Sequence, residues 1–377
     1  MDSEYIKRLE KIEGRLSSFL PRFPGQSWMD MVFKASTRQA PLDLAASLVG
    51  PGWDIVNRGG KRWRPLLLTL ICEALGGGDN GLALVPLVEF PHNASLIHDD
   101  IEDNSDERRG KPAVHLIYGT DTAINSGCFL YFLPLTCIDS WDVPADLKNT
   151  LYGIWAEHIR RLHLGQAMDI KWHRDFACVP DLAEYELMCR LKTGALARLA
   201  AVLGVYTGYA GKASGPPMTQ EIFQERALFQ AEAFGGAAEK LGVGFQILDD
   251  VKNLRTGNPG KKRGDDIVEG KKSFPALLFL HEHPEKAPLV ERCFQAAREG
   301  GSSAPEVEEL IGEFEAAGVL ERATDRSLAL IEEARKVLTN PGNDSWEIRS
   351  NGKSGYDETT SVPTARRLLA GFTELLR

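Results

Sequence analysis

Asp99, Asp100 and Asp103 close an apolar run, and Arg108 and Arg109 follow shortly after them. On a helix Asp99 and Asp103 stand four residues apart, so their carboxylates share one face, about 6 Å apart along the axis. Two like charges at that spacing repel unless a cation lies between them. Hard oxygen ligands suit magnesium, which keeps several waters and takes one or two carboxylates together with substrate phosphates. The neighbouring arginines suit a diphosphate, because a guanidinium forks two donors onto phosphate oxygens. A solvated acidic helix end followed by a basic turn would have the same composition. His92, Leu96 and Ile97 argue against that, because they bury the helix just before the acids.

A second acidic pair, Asp249-Asp250, again ends an apolar helix and carries Phe245-Gln246 just upstream. A glycine-punctuated basic loop follows, with Lys261, Lys262, Arg263, Lys271 and Lys272. Carboxylates that hold magnesium, cations that hold diphosphate and apolar helix faces that hold a hydrocarbon tail make one coherent site.

Helices must position these groups, since helical periodicity dominates and no strand series is convincing. Residues 3–20 read as an amphipathic helix ended by Pro21, and 28–49 as a second ended by Gly50-Pro51. Lys61 and Arg64 stand at the mouth of a helix opened by Pro65 and apolar nearly all round, hence buried. Cations oppose the dipole at a helix N-terminus, so an anion among them is the sensible complement. Residues 82–103 carry the first acidic stretch, and 120–138 read as another buried helix containing Tyr131 and Phe132. Residues 145–171 end in His163-Leu164-Gly165-Gln166-Ala167-Met168-Asp169, and 181–208 carry Leu191-Lys192-Thr193-Gly194. A lysine amid Leu, Ala and Gly is costly to bury unpaired, so Lys192 reaches an anion in a cavity. Residues 219–254 carry the second acidic pair, and 273–337 continue as helices. Residues 338–362 are polar and read as a flexible insertion in a single domain spanning 1–377, before a last helix over 363–377.

The chain has 377 residues and 43% hydrophobic content, enough for a sizeable core. Its net charge of −9 argues against nucleic acid as a partner. The charged, amphipathic N-terminus does not read as a signal peptide, and no run of about 18 apolar residues predicts a membrane span. Six cysteines without a Cys-x-x-Cys pair read as reduced core thiols of a cytoplasmic protein.

The motifs together resemble the isoprenyl (polyprenyl) diphosphate synthases, over about Gly59 to Pro275. Asp99-Asp100-x-x-Asp103 with Arg108-Arg109-Gly110 is similar to that family's first aspartate-rich motif, and Phe245-Gln246-x-x-Asp249-Asp250 to its second. Gly59-Gly60-Lys61-x-x-Arg64-Pro65, Lys192-Thr193-Gly194 and Gly270-Lys271 resemble its other signatures. Asp99–Ser105, Ile124-Asn125-Ser126 and Tyr131-Phe132 resemble the eukaryotic-type geranylgeranyl diphosphate synthases. The second motif departs from the usual pattern at Asn253, where a third aspartate is common. A neutral amide is a poorer magnesium ligand than a carboxylate.

The resemblance implies an all-α bundle of antiparallel helices around a deep central cavity, and a homodimer. It implies head-to-tail condensation of an allylic diphosphate with isopentenyl diphosphate, dependent on Mg2+. The aspartates 99, 100, 103, 249 and 250 would ligate metal. Arg108, Lys192, Lys261 and Lys271 would hold the allylic diphosphate, and Lys61, Arg64, His92 and Arg109 the isopentenyl diphosphate. Lys192, the Thr193 carbonyl and Gln246 would stabilise the allylic cation. Ala94 and Ser95 are too small to stop a growing chain, so Tyr131, Phe132 and His163 would form a lower floor suited to geranylgeranyl diphosphate. The competing expectations are a farnesyl or longer-chain synthase, a terpene cyclase or squalene-synthase-like enzyme, and a non-catalytic partner subunit. Lys61, Arg64 and His92 speak against a cyclase, which needs no second diphosphate site, and the complete first motif speaks against the partner subunit.

Overall fold

The computed structural model describes residues 2–34, 41–210, 220–257, 262–340 and 358–375. Among them the first half of the chain forms α1 (Ser3–Phe19), α2 (Gln26–Phe33), α3 (Leu42–Asn57), α4 (Trp63–Ala74) and α5 (Pro86–Glu102). It continues with α6 (Val114–Tyr118), α7 (Thr120–Phe132), α8 (Thr136–Ser140) and α9 (Ala145–Arg174). The second half forms α10 (Leu182–Cys189), α11 (Ala195–Ala210), α12 (Gln220–Arg255), α13 (Asp265–Glu269) and α14 (Phe274–Glu282). It ends with α15 (Ala287–Gly300), α16 (Pro305–Ala316), α17 (Val319–Thr339) and α18 (Glu358–Gly371). The fold is all-α, with one small hairpin, β1 (Glu107–Arg108) and β2 (Lys111–Pro112).

Two apolar cores share α9, α12 and α17. One adds α1 to α5, α7, α11 and α18; the other adds α10 and α13 to α16. Every residue of α4 is buried, as a helix apolar on all sides requires. It packs against α11 closely enough that a Cβ on Gly204 would stand 2.7 Å from the Leu68 carbonyl oxygen. Local signals set the ends where they are strong. Asp181 and Glu184 form a reciprocal capping box that starts α10.

Packing overrides the local signals elsewhere. Gly50-Pro51 does not end a helix; both lie inside α3. The turn around Pro51 is held by α7, whose Ser126 hydroxyl accepts the Gly52 amide at 3.1 Å, while Leu130 fills the space beside Gly52. The expected helix 120–138 breaks into α7, a 3-10 turn at Leu133–Leu135 and α8, because Pro134 cannot donate. The expected helix 181–208 contains a π-helical turn, Arg190–Gly194, between α10 and α11. Residues 341–357, the bulk of the expected insertion, lie outside the described residues.

The hairpin separates the two arginines that the sequence places side by side. Arg109 and Gly110 occupy its two-residue turn with φ of 54° and 74°, which tight hairpins demand and which arginine rarely adopts. The Arg109 guanidinium is tied to the Ile55 carbonyl and the Asn93 side chain, both at 3.0 Å. Arg108 turns to the aspartates instead.

Candidate active site

A cavity of about 710 Å3 opens where the two cores meet, within the range of small-molecule sites. Asp99 and Ser95 of α5, Gln166 and Asp169 of α9, and Gln246, Asp249 and Asp250 of α12 line it. Leu96, Leu162, Met188, Leu196 and Phe245 give it apolar wall.

On its acidic side cations are already paired. Lys192 donates to Asp169 at 2.6 Å and to Asp99 at 3.2 Å. Burial alone would lower the Lys192 ammonium, but Asp169 and then Asp99 outweigh it and hold it above its ordinary value. Lys271 donates to Asp103 at 2.8 Å and sits 2.6 Å from Glu269. Burial is again outweighed, here by Glu269 and then Asp103, so Lys271 stays charged. Gln166 steadies Asp99 at 3.0 Å and Glu102 at 2.6 Å.

Asp100 and Asp250, expected among the metal ligands, are already engaged by protein donors. Adjacent helical residues point about 100° apart, so Asp100 turns into protein, while Asp250 stays at the cavity wall but is held by protein donors. Asp100 is fully buried and accepts the Arg108 Nε at 2.8 Å and a second Arg108 nitrogen at 2.5 Å. Asp250 accepts from the Tyr185 hydroxyl at 2.5 Å, the Phe274 amide at 2.9 Å and the Gln246 amide at 3.1 Å. Burial pushes its carboxyl up to about 6. Its effect is to aim Gln246, whose carbonyl oxygen accepts the Thr193 hydroxyl at 2.9 Å.

The π turn that carries Lys192 and Thr193 is seated by glycines on both sides. A Cβ on Gly165 of α9 would lie 2.7 Å from the Leu191 carbonyl carbon, and one on Gly242 of α12 would lie 2.8 Å from the Gly194 Cα. Such single π turns concentrate at functional sites.

The opposite side is basic; Arg58 and Arg62 are paired there with Asp54, Glu13 and Glu89, but three other cations are not in ion pairs among the described residues. Lys61, Arg64 and Arg109 make no ion pair there, and the Arg64 Nε is buried without a hydrogen-bond partner. Burial lowers both arginines to about 10, so they remain cationic. Burial, then Arg64 and Arg109, hold the His92 ring well below its ordinary value, so it is a neutral imidazole at pH 7. Arg64 lies on Trp63 at 4.5 Å and Lys61 over Phe245 at 5.1 Å, which fixes both heads. The left-handed Gly59 and Gly60 let this loop close on Arg109.

None of the expected floor residues, Tyr131, Phe132 and His163, is among those that line this cavity. Tyr131 is buried between His98 and His163, with ring centroids 5.8 Å and 5.1 Å away. Phe132 is not brought to the cavity: it is 63% exposed on the outer side of α7 and packs on Trp155. Ser95 lines the cavity, whereas Ala94 is buried in the core. Lys261 lies outside the described residues. Gln166, Asp169, Glu102 and Glu269 carry no assignment from sequence, although Gln166 and Asp169 stand three apart beside Gly165, a spacing that puts them on one face.

Among the described residues no group of three or more His, Cys, Asp or Glu could close around one metal ion. Asp99 and Asp249 line the cavity, and their carboxylates are hard oxygen donors of the kind that hold magnesium together with waters and phosphate oxygens. No described helix is long and apolar enough to cross a membrane.

The polyprenyl synthetase family model matches residues 46–311. A geranylgeranyl pyrophosphate synthase of Neocamarosporium betae is 35% identical over 267 residues, 68% of this chain and 70% of that protein. A geranylfarnesyl diphosphate synthase of Aeropyrum pernix is 30% identical over 301 residues, 78% and 87% of the two chains. The fold is similar to that of a polyprenyl synthase from Caulobacter crescentus CB15 complexed with calcium and isoprenyl diphosphate. The TM-score is 0.71 and the identity 23%, over 100% of this chain and 98% of that one.

Proposed function

The chain belongs to the polyprenyl synthetase family and is a prenyl transferase, and from that premise we propose that it condenses isopentenyl diphosphate with an allylic diphosphate to give geranylgeranyl diphosphate. The observation that carries this reading is the division of the cavity into two unlike halves. Unpaired cations suit a bare diphosphate. Carboxylates interleaved with lysines suit a diphosphate that arrives with metal. A cyclase would need only the second.

Lys61, Arg64 and Arg109 hold the isopentenyl diphosphate, and neutral His92 adds a hydrogen bond. Asp99, Asp103 and Asp249 would hold magnesium at the allylic diphosphate, beside Lys192, Lys271 and Arg108. Bound magnesium supplies Lewis-acid stabilisation of the leaving group. Lys192 and Lys271 neutralise charge on the departing diphosphate as the allylic C–O bond breaks. Gln246, held by Thr193 and Asp250, turns an oriented dipole toward the resulting cation, where low dielectric makes it effective. The isopentenyl double bond then forms the new C–C bond, and the proton lost goes to the released diphosphate. Holding the two reacting carbons together supplies much of the rate.

The test is purified protein with magnesium, isopentenyl diphosphate and, separately, dimethylallyl, geranyl or farnesyl diphosphate. Geranylgeranyl diphosphate is the expected product. A cyclic hydrocarbon from an allylic substrate alone would overturn the reading, as would absence of turnover. Tyr131→Ala is expected to shift products to longer chains with the condensation rate kept, because it removes the ring clamped by His98 and His163. Unchanged chain length would remove Tyr131 as the floor. Phe132 and Leu164, 63% and 57% exposed, offer apolar surface for the homodimer and a single-domain protomer in the cytoplasm is the accompanying proposal. Light scattering of the same preparation reads a dimer mass.

A further inference from the structure

We propose that Asn253 is a positioning residue, the pin that carries Lys271 to the allylic diphosphate, and not a magnesium ligand. The proposal rests on the prenyl-transfer reading of the cavity. Asn253 lies one helical turn beyond Asp249 on α12, fully buried, and does not line the cavity. Its side-chain oxygen accepts the Asp266 amide at 3.2 Å, and its backbone oxygen accepts the Gly264 amide at 3.1 Å. The Asp266 carbonyl in turn accepts the Lys271 amide at 2.8 Å, and the Lys271 ammonium reaches Asp103 at 2.8 Å. Four contacts thus connect the end of the second acidic helix to the first acidic motif across the cavity.

Lys272 grips the same loop from the far side. It is 4% exposed, donates to the Trp172 carbonyl at 2.9 Å and sits over the Phe176 and Phe294 rings at 5.0 Å and 5.7 Å. Lys271 is therefore held between two anchors, one on α12 and one on α9.

The same geometry explains why an amide serves here. The Asn253 Nδ2 is buried with no hydrogen-bond partner among the described residues. An aspartate would keep the accepting oxygen but put a second, charged oxygen in that place, beside Asp266 and without a donor.

The test is calorimetric titration of the full chain with inorganic diphosphate in excess magnesium. Asn253→Ala and Lys271→Ala are each expected to weaken binding about tenfold, the size of one charge-assisted hydrogen bond. The double variant is expected to bind no more weakly than Lys271→Ala alone, because the pin acts only through that lysine. Lys272→Met, entering from the other anchor, is expected to show the same non-additivity, and it serves if Asn253→Ala fails to fold. Additive losses would overturn the proposal. So would a lower half-saturating magnesium concentration in Asn253→Asp, which would make residue 253 a ligand position. No diphosphate binding by the unaltered chain would overturn the prenyl-transfer reading itself, and the pin with it.

Discussion

Asp99→Asn is expected to lower prenyl transfer on the order of 10^3-fold while leaving isopentenyl diphosphate binding nearly intact. Asp99 is where the acidic half of the cavity converges. It accepts from Lys192 at 3.2 Å and Gln166 at 3.0 Å, and Arg108 stands 3.8 Å away. The amide removes a hard anionic oxygen that suits magnesium. It also leaves Lys192 leaning on Asp169 alone, drawing the ammonium away from the departing diphosphate. The isopentenyl side depends on other groups, Lys61, Arg64 and Arg109, which share no ion pair with Asp99. Steady-state kinetics against each substrate and against magnesium separate the two halves. The half-saturating magnesium concentration should rise and kcat should fall, with KM for isopentenyl diphosphate within about twofold of the starting value. An equal loss on the isopentenyl side would show that the cavity is not divided as its charges indicate. Chelation of magnesium by EDTA should abolish turnover in the unaltered protein.

Gly165→Ala is expected to destabilise the protein by roughly 1–3 kcal/mol and to cost most of its activity. Helix propensity alone gives the opposite sign, since alanine is better than glycine inside a helix by about 1 kcal/mol. The contact decides. The new Cβ would meet the Lys192 amide nitrogen, the Leu191 carbonyl carbon at 2.7 Å and the Leu191 Cβ at 2.8 Å. Two of those atoms are backbone and cannot rotate away, so α9 and the π turn must separate. Asp169 sits one turn further along α9, and its 2.6 Å contact with Lys192 closes that same interface. Thermal unfolding should show the lower midpoint, and the variant's kcat should fall more than its KM for isopentenyl diphosphate rises. A variant as stable and active as the parent would mean that this contact relaxes freely.

Much of this protein is determined by its sequence alone. Period and composition suffice for an all-helical chain, because a helix apolar on all sides, such as Trp63–Ala74, has nowhere to go but the interior. The spacing of Asp99 and Asp103, and the cations at 61, 64, 108, 109, 192 and 271, suffice to propose a metal-assisted diphosphate site, because charge type and helical register are local properties. Adjacent aspartates must diverge on a helix, so even the separation of Asp99 from Asp100 is implicit in the register.

The tertiary structure decided what local chemistry leaves open: which group meets which partner across a long loop of sequence. Asp250 aims Gln246 because Tyr185 and the Phe274 amide arrive from α10 and α14. Asp169 became the partner of Lys192 because glycines let two helices touch at a π turn. Pro51 stays within its helix because Ser126 of α7 accepts the neighbouring amide. Phe132 faces outward although its composition suits a cavity floor. In each case the deciding energy is a contact between residues far apart in the chain, and no window of sequence contains both of them.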